Sequence, residues 1–252
     1  MPQRVLITAG AAGIGREFAR AFAATGAGVF VCDIDENALA AIAREIPGLI
    51  AQKCDMGRRA EIERMVPDAV ARLGGLDVLI NNAGISGMTL PVADYPPDDW
   101  DRVIAVNLTA MFDATRLAIP HLKQSPAGVI INLSSVAGRF GFENRSPYAA
   151  TKWGVIGFTK TLAIELGAFG IRANAIAPGA VAGDRVERMF ANRAQFSGKS
   201  ITEVRAAAMA EQSIKEMVDP KDIAALAVFL ASDAGKSISG QVLPIDSDRH
   251  RA

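Results

Sequence analysis

Three residues of this chain have types and a spacing that can do chemistry: Ser135, Tyr148 and Lys152. A free tyrosine titrates near pH ~10 and is a poor base at neutrality, but a positive charge beside it favours the phenolate. In Tyr148-Ala-Ala-Thr-Lys152 the two side chains stand four apart on one helix face, so the ammonium can act on the phenol. A tyrosine lowered in this way exchanges protons with an alcohol or a carbonyl. Ser135 follows the apolar run 128–133, a strand whose tip would present its hydroxyl to a substrate oxygen in line with Tyr148. Ser146 and Pro147 are expected to be the N-cap and the first residue of the helix that carries the pair. Tyr-x-x-x-Lys also occurs in ordinary amphipathic helices, so the assignment depends on the elements around it.

Those elements repeat a short β-rich run, a turn and a helical pattern, which argues for a parallel sheet with helices on both faces. Strands are expected at 4–8, 28–33, 49–53, 77–81, 129–133, 172–177 and 242–245, seven in all, and most are nearly continuous apolar runs. No linker, repeat or low-complexity tract interrupts the 252 residues, half of them hydrophobic, so they are read as a single α/β domain over 1–252. The stretch 97–122 reads as one long helix capped by an acidic residue, with Asn107 inside it. Asparagine is a middling helix former, and on local grounds a satisfied amide and a functional one are equally good accounts of it.

The first strand runs into Thr8-Ala9-Gly10-Ala11-Ala12-Gly13-Ile14-Gly15, which opens a helix. Such a turn lets backbone approach a pyrophosphate, whose charge is favoured at the helix N-terminus. Gly10, Ala12, Gly13 and Ile14 are therefore candidate cofactor contacts. Asp33 ends the second strand, where a carboxylate can accept hydrogen bonds from an adenosine ribose and would repel a 2′-phosphate. NAD is expected in preference to NADP. Asp55 and Met56 after the third strand are expected beside the adenine, and Asn82, Ala83 and Gly84 after the fourth let the cofactor backbone pass. Pro178, Gly179 and Val181 after the sixth again bring backbone to the carboxyl edge of the sheet, where ligands bind in such folds. Residues 182–217, charged and helical in pattern, would form a substrate lid over that edge. Arg185, Arg188, Arg193, Lys199 and Arg205 lie in it; a solvated helix face is the plainer account of them and recognition of an acidic substrate the alternative.

The 27 basic and 27 acidic residues balance, which gives no reason to expect nucleic acid or an anionic membrane as partner. No apolar stretch approaches the ~20 residues that span a bilayer. The start of the chain lacks the pattern of a secretory signal, and a cytoplasmic location is expected. Cys32 and Cys54 read as small buried hydrophobes, and with two histidines no metal site is visible.

Taken together, the Gly-rich turn, Asn81-Asn82-Ala83-Gly84, Ser135, Tyr148-x-x-x-Lys152 and Pro178-Gly179 occur in an order that resembles the short-chain dehydrogenase/reductase family from Val5 to about Asp246. The resemblance implies a Rossmann-type fold and makes Tyr148 the catalytic acid/base, with Lys152 as its activator and a ribose ligand. It implies that the serine thirteen residues before the tyrosine orients the substrate, which is Ser135 (148 − 13 = 135) and not Ser134. It also places Asn107 in a water-linked proton relay through Lys152. Three positions depart from the family pattern: Ala9 stands where a glycine is usual, Ala182-Gly183-Asp184 where a threonine often follows, and Asp246-Ser247-Asp248 in place of Asp-Gly-Gly. The expected activity is hydride transfer between NAD and a secondary alcohol or its ketone, with a sugar, polyol or hydroxy-acid derivative as substrate. An NADPH-dependent 3-oxoacyl-thioester reductase and a non-catalytic dinucleotide-binding regulatory module are the alternatives. The resemblance also implies a homotetramer or homodimer through the two long helices and the C-terminal segment.

Overall fold

Short runs rich in valine and isoleucine become strands, because branched side chains fit a pleated surface buried on both faces. The computed structural model describes residues 2–250; Met1, Arg251 and Ala252, the ends of the expected domain, lie outside the described residues. The described residues form seven strands: β1 (Arg4–Thr8), β2 (Gly28–Asp33), β3 (Ile50–Lys53), β4 (Val78–Asn81), β5 (Val129–Leu133), β6 (Arg172–Pro178) and β7 (Val242–Ile245). Every neighbouring pair is parallel, in the order β3-β2-β1-β4-β5-β6-β7. The order reverses between β1 and β4, and a crevice opens there at the carboxyl edge. This is the expected doubly wound, Rossmann-type sheet, with strand ends shifted by one residue at β3, β4 and β6.

Helices cover both faces. On one, α1 (Gly13–Ala24) and α9 (Pro220–Ala231) bury Phe18, Phe22, Ile223 and Leu230 against Val5, Ile7, Val31 and Ile131. On the other, α3 (Arg59–Leu73), α5 (Ala110–Leu122) and α6 (Ser146–Leu166) cover Leu6, Phe30, Leu79 and Ile130. Full burial of a side chain the size of Phe22 is worth roughly 1.5–3 kcal/mol. Between β4, β5 and the second helix layer runs a closed polar chain: Asn81 donates to Thr115 (3.0 Å) and Asn132 (2.8 Å), and Asn132 donates to Thr159 (2.9 Å). All four side chains are buried, so the chain fixes where α5 and α6 sit on the sheet.

Two local expectations are corrected. The stretch 97–122 is α4 (Pro97–Ile104), one π turn (Ala105–Thr109) and α5. Pro96 precedes α4 with no side-chain cap, so no acidic residue caps it. The cause of the π turn lies at Asn107, which is fully buried and bonds both backbone groups of Ile85, taking its N–H at 2.7 Å and giving to its carbonyl at 2.9 Å. Turning that amide inward requires the extra residue in the helix. By length and mean hydropathy this continuous 26-residue segment is, contrary to the sequence expectation, sufficient to cross a membrane. Here it is a packing helix that carries the buried Asp113, paired with Arg59 at 2.9 Å. In the second correction, α6 begins at Ser146 itself; Arg145 is the N-cap residue and Pro147 the second helical one. The Ser146 hydroxyl caps nothing and is buried without a partner.

The segment between β6 and α9 folds back as a separate cover: α7 (Asp184–Ser197) and α8 (Ile201–Ala210) enclose a small core of their own, Val186, Phe190, Ala194, Val204 and Ala208. Its two ends are tied to each other, Ala182 N–H to the Val218 carbonyl and Val218 N–H to the Ala180 carbonyl, both at 2.9 Å.

Candidate active site

The crevice at the carboxyl edge is a cavity of about 430 Å³ whose lining, apart from Ala208 and Arg249, comes from five places in the chain. These are the turn after β1, Asp33, the turn after β4, the β5 tip with the start of α6, and the segment from Pro178 through α7.

The first turn is held by its own backbone. A Cβ on Gly15 would lie 2.1 Å from the Ala9 carbonyl oxygen, so only glycine lets α1 start this close to β1. Gly13 sits at φ +52° with open space where a side chain would be. At the start of α1, Ala12 supplies no side-chain cap and the first turn has no acidic residue. The orphan N–H groups of that turn therefore suit an anion in the cavity. Asp33 braces the same turn through the Ala11 N–H, which its carboxylate accepts at 3.1 Å, and holds the turn after β2 by accepting from Ile34 at 2.8 Å and from Asp35 at 3.2 Å. No cation pairs with it among the described residues. The open cradle, the uncapped helix and the acidic strand end fit a dinucleotide. Thr8 shapes the opposite wall, taking the N–H groups of Asn82 (3.0 Å) and Ala83 (3.1 Å), while the Asn82 amide returns to the Ala9 carbonyl at 2.8 Å.

At the other end, β5 and α6 bring Ser135, Tyr148 and Lys152 to one wall. Both Ser134 and Ser135 line the cavity, but the Ser134 hydroxyl is committed to the Lys152 carbonyl, to which it donates at 2.8 Å, so Ser135 is the serine whose hydroxyl can serve a substrate. Lys152 is buried, donates to the Leu133 carbonyl at 2.6 Å and holds its Nζ 5.7 Å from the centre of the Tyr148 ring. Burial pushes the Tyr148 phenol up, but Lys152, Arg185, the Ser135 hydroxyl and Arg145 together bring it below the ordinary tyrosine value. Burial likewise lowers the Lys152 ammonium; Tyr148 raises it and Arg185 lowers it further. A tyrosine in this state can move a proton to or from an oxygen beside Ser135.

Of the other expected site residues, Ala12, Gly13, Ile14, Asp33, Asn82, Gly84, Pro178, Gly179 and Val181 line the cavity. Gly10 and Ala83 lie beneath its wall, buried. Asp55 and Met56 are not part of the wall. Asp55 takes the Gly57 N–H at 2.8 Å and pairs with Arg58, and the Met56 sulfur packs against Cys32 (3.8 Å) and Cys54 (3.9 Å). Asn107 does not touch Lys152, since its amide is taken up by Ile85 and Thr151. The two side chains converge on Gly84, where a Cβ would stand 3.3 Å from Asn107 Oδ1 and 3.6 Å from Lys152 Nζ.

The cavity also holds residues that the sequence did not single out: Ser86, Phe142, Arg145 and Arg249. Of the basic residues in 182–217, Arg185, Arg188 and Arg193 line it, Lys199 lines a neighbouring cavity, and Arg205 pairs outside with Glu187. No sequence signal separates those three from a solvated face; their side depends on how α7 is laid over the edge.

Comparison with known proteins adds the following. The profile of the short chain dehydrogenase family matches residues 3–194. D-beta-hydroxybutyrate dehydrogenase of Cupriavidus necator is 39% identical over 246 residues, 96% of this chain and 95% of that protein. The 3-oxoacyl-(acyl-carrier-protein) reductase FabG of Thermotoga maritima is 36% identical over 245 residues, again 96% of this chain and 95% of that protein. Among solved structures, an actinorhodin polyketide ketoreductase with NADPH superposes with a TM-score of 0.93 at 30% identity, over 98% of this chain and 96% of that one.

Proposed function

The chain belongs to the short-chain dehydrogenase family and is an oxidoreductase of hydroxy and keto groups, and from that premise we propose that it works with NAD on a secondary alcohol at the Ser135–Tyr148–Lys152 wall. The observation that carries this reading is Tyr148 itself, a phenol lowered by Lys152 on the same wall as Ser135, in a cavity whose far end is a dinucleotide cradle. NAD, when bound, supplies the acceptor for the hydride that leaves the alcohol carbon. Ser135 holds the substrate oxygen, and Tyr148 takes its proton as the carbonyl forms. Lys152, anchored on the Leu133 carbonyl, favours the ionised form of Tyr148 and serves as a ribose ligand. Asn107 clamps the Gly84–Ile85 turn beside Lys152 and marks the inner end of a water-linked path for the proton. In the reductive direction the same groups run in reverse. Residues 182–217, tied at both ends, act as the lid.

Asp33 supports NAD over NADP, because its carboxylate, with Asp35 two residues on, puts negative charge where a 2′-phosphate would sit. Similarity to the 3-oxoacyl reductase and to a ketoreductase with NADPH favours the second reading, an NADPH-dependent ketoacyl reductase. The similarity to D-beta-hydroxybutyrate dehydrogenase favours a hydroxy acid over a neutral sugar or polyol. Phe112, Trp153 and Ile164 are exposed on α5 and α6, which supports a homodimer or homotetramer through those helices; light scattering of the purified protein tests it. Two buried free thiols, Cys32 and Cys54, are in keeping with a cytoplasmic enzyme.

The test is NADH formation from NAD, beside NADPH formation from NADP, over secondary alcohols and hydroxy acids, with Tyr148→Phe in parallel. Turnover with NAD that falls by orders of magnitude in the variant, while NADH still binds, is the expected result. Unchanged turnover in Tyr148→Phe refutes the site, and a clear preference for NADP moves the second reading to first place.

A further inference from the structure

Around the reacting end of the cavity the charges do not balance. Arg145, Arg185, Arg188, Arg193, Arg249 and Lys152 line it against two carboxylates, Asp33 and Asp184. Arg249 is held by Glu211 at 3.0 Å. Among the described residues Arg185 reaches only neutral oxygens, the Gly84 carbonyl at 3.2 Å and the Ser86 hydroxyl at 3.3 Å. Arg145 is the sharpest case. It is 5% exposed, lines the cavity, and the one hydrogen bond of its side chain among the described residues is a 3.4 Å approach to the Ser86 carbonyl. Among the described residues no carboxylate pairs with Arg145 or Arg193. A buried guanidinium without a counterion is costly, and it persists where a partner arrives from outside. Burial lowers Arg145 from the ordinary arginine value, Tyr148 and Tyr95 offset part of this, and Arg185 and Arg193 nearby lower it further.

Geometry places that anion. Arg145, at the start of α6, and Arg193, on α7, stand against the same Phe142 ring, 5.8 Å and 5.5 Å from its centre. Phe142 in turn packs edge-on against Tyr148, with ring centres 6.4 Å apart. The guanidinium pair is thus one aromatic ring away from the reacting oxygen. Phe142, Arg145 and Arg193 also border the second cavity, of about 320 Å³, so the pair stands in the wall that the two share. Two planar forks match a carboxylate. A phosphate dianion is disfavoured, because the first turn of α7 carries Asp184 and Glu187 where backbone N–H groups would otherwise serve it.

Building on the Tyr148 site, we infer that Arg145 and Arg193 seat a carboxylate of the substrate, so that the enzyme acts on the anion of a hydroxy acid or its keto acid and not on a neutral sugar or polyol. Because one arginine belongs to the body and the other to α7, the bound carboxylate also draws the 182–217 segment onto the site.

The experiment compares pairs that differ in charge: 3-hydroxybutyrate with 3-hydroxybutyramide, and gluconate with glucitol, with glycerol 3-phosphate as the phosphate probe. Wild type, Arg193→Gln and Arg145→Met are assayed with NAD. Each is also melted as its NADH complex with and without millimolar amounts of each acid. The acid of at least one pair should exceed its neutral partner by on the order of 100-fold in kcat/KM, the scale of charged hydrogen bonds. Arg193→Gln should reduce that preference to below about 10-fold, mostly through KM. The same acid should raise the melting midpoint of the wild-type complex and leave both variants unmoved. Equal rates on acids and neutral partners overturn the carboxylate seat while leaving Tyr148-dependent hydride transfer standing. Absent turnover with an acid-induced shift that both variants lose supports the seat and counts against the hydride-transfer reading. Absent turnover with no shift overturns the seat, and a larger response to glycerol 3-phosphate than to the acids overturns the choice of carboxylate.

Discussion

Ala9 occupies the position where the family usually has glycine, and its φ is +50°, in the left-handed region. For an L-residue with a Cβ that conformation costs about 1–2 kcal/mol. Replacing it by glycine removes the strain but adds freedom to the unfolded chain, a loss of about 0.4–1 kcal/mol, and gives up a half-buried methyl worth roughly 0.4 kcal/mol. The control is Ala12, three residues on in the same turn, exposed and extended at φ −141°. Ala12→Gly carries the same unfolded-state loss with no strain to relieve. In the difference between the two variants that loss cancels, and Ala9→Gly should be the more stable by about 1 kcal/mol. For a chain of this size that is about 2–4 °C in the melting midpoint. Melts of the two proteins without cofactor, at equal concentration, measure it. An Ala9→Gly midpoint below that of Ala12→Gly would refute the claim that the turn stores strain at Ala9.

Other outcomes follow from the same coordinates. The alcohol-oxidation rate should rise with pH as Tyr148 ionises, below the ordinary tyrosine range; Lys152→Met removes the cation and leaves burial, so the rise moves to higher pH, and an unmoved profile would contradict the pairing. Asp33→Ala frees the Ala11 N–H of the glycine-rich turn and the Ile34 and Asp35 N–H groups after β2, and should weaken NADH binding by about 10–100-fold in a fluorescence titration, with less effect on NADPH. Asp77, at the opposite edge of the sheet, takes two guanidinium bonds and the backbone N–H of Arg4 together with the Ser125 hydroxyl. Asp77→Ala should cost about 2–4 kcal/mol in denaturant melts and leave KM unchanged. Burial raises the Asp77 carboxyl, but the Arg4 and Ser125 hydrogen bonds bring it below the ordinary value. Its contribution is therefore fully present above the unfolded carboxylate pKa of about 3.9 and is lost as pH falls through the lower folded one.

The sheet was legible in the sequence because each strand is an apolar run closed by a turn, and burial on both faces demands that pattern locally. Ser135, Tyr148 and Lys152 were legible for a related reason: their spacing is fixed by one strand tip and one helix face. Asp33 belongs to the same class, since a strand end places it. Asn107 was seen as an anomaly, but its role lay in a contact with Ile85 twenty-two residues away, and the π turn that accommodates it has no signature in composition. Ser146 misled because a serine before a proline has the chemistry of a cap, whereas the hydrogen bonds of the helix put Arg145 in that place.

The substrate end was least legible, and the physical reason is topological. Arg145 is brought to Arg193 only by the way α7 crosses the carboxyl edge, and α7 is placed by its own small core around Phe190. An arginine on a helix carries the same local signal whether it faces solvent or a cavity, because its long stem packs in either case. What separates the two is the absence of a counterion at a buried position, and that is a property of the folded chain alone. On the proposed reading, the residues that fix the chemistry are therefore local in sequence, and those that choose the substrate are assembled from distant segments. Altering Arg145 and Arg193 should change which alcohol is oxidised, whereas altering Ser135, Tyr148 or Lys152 should abolish the oxidation of every one.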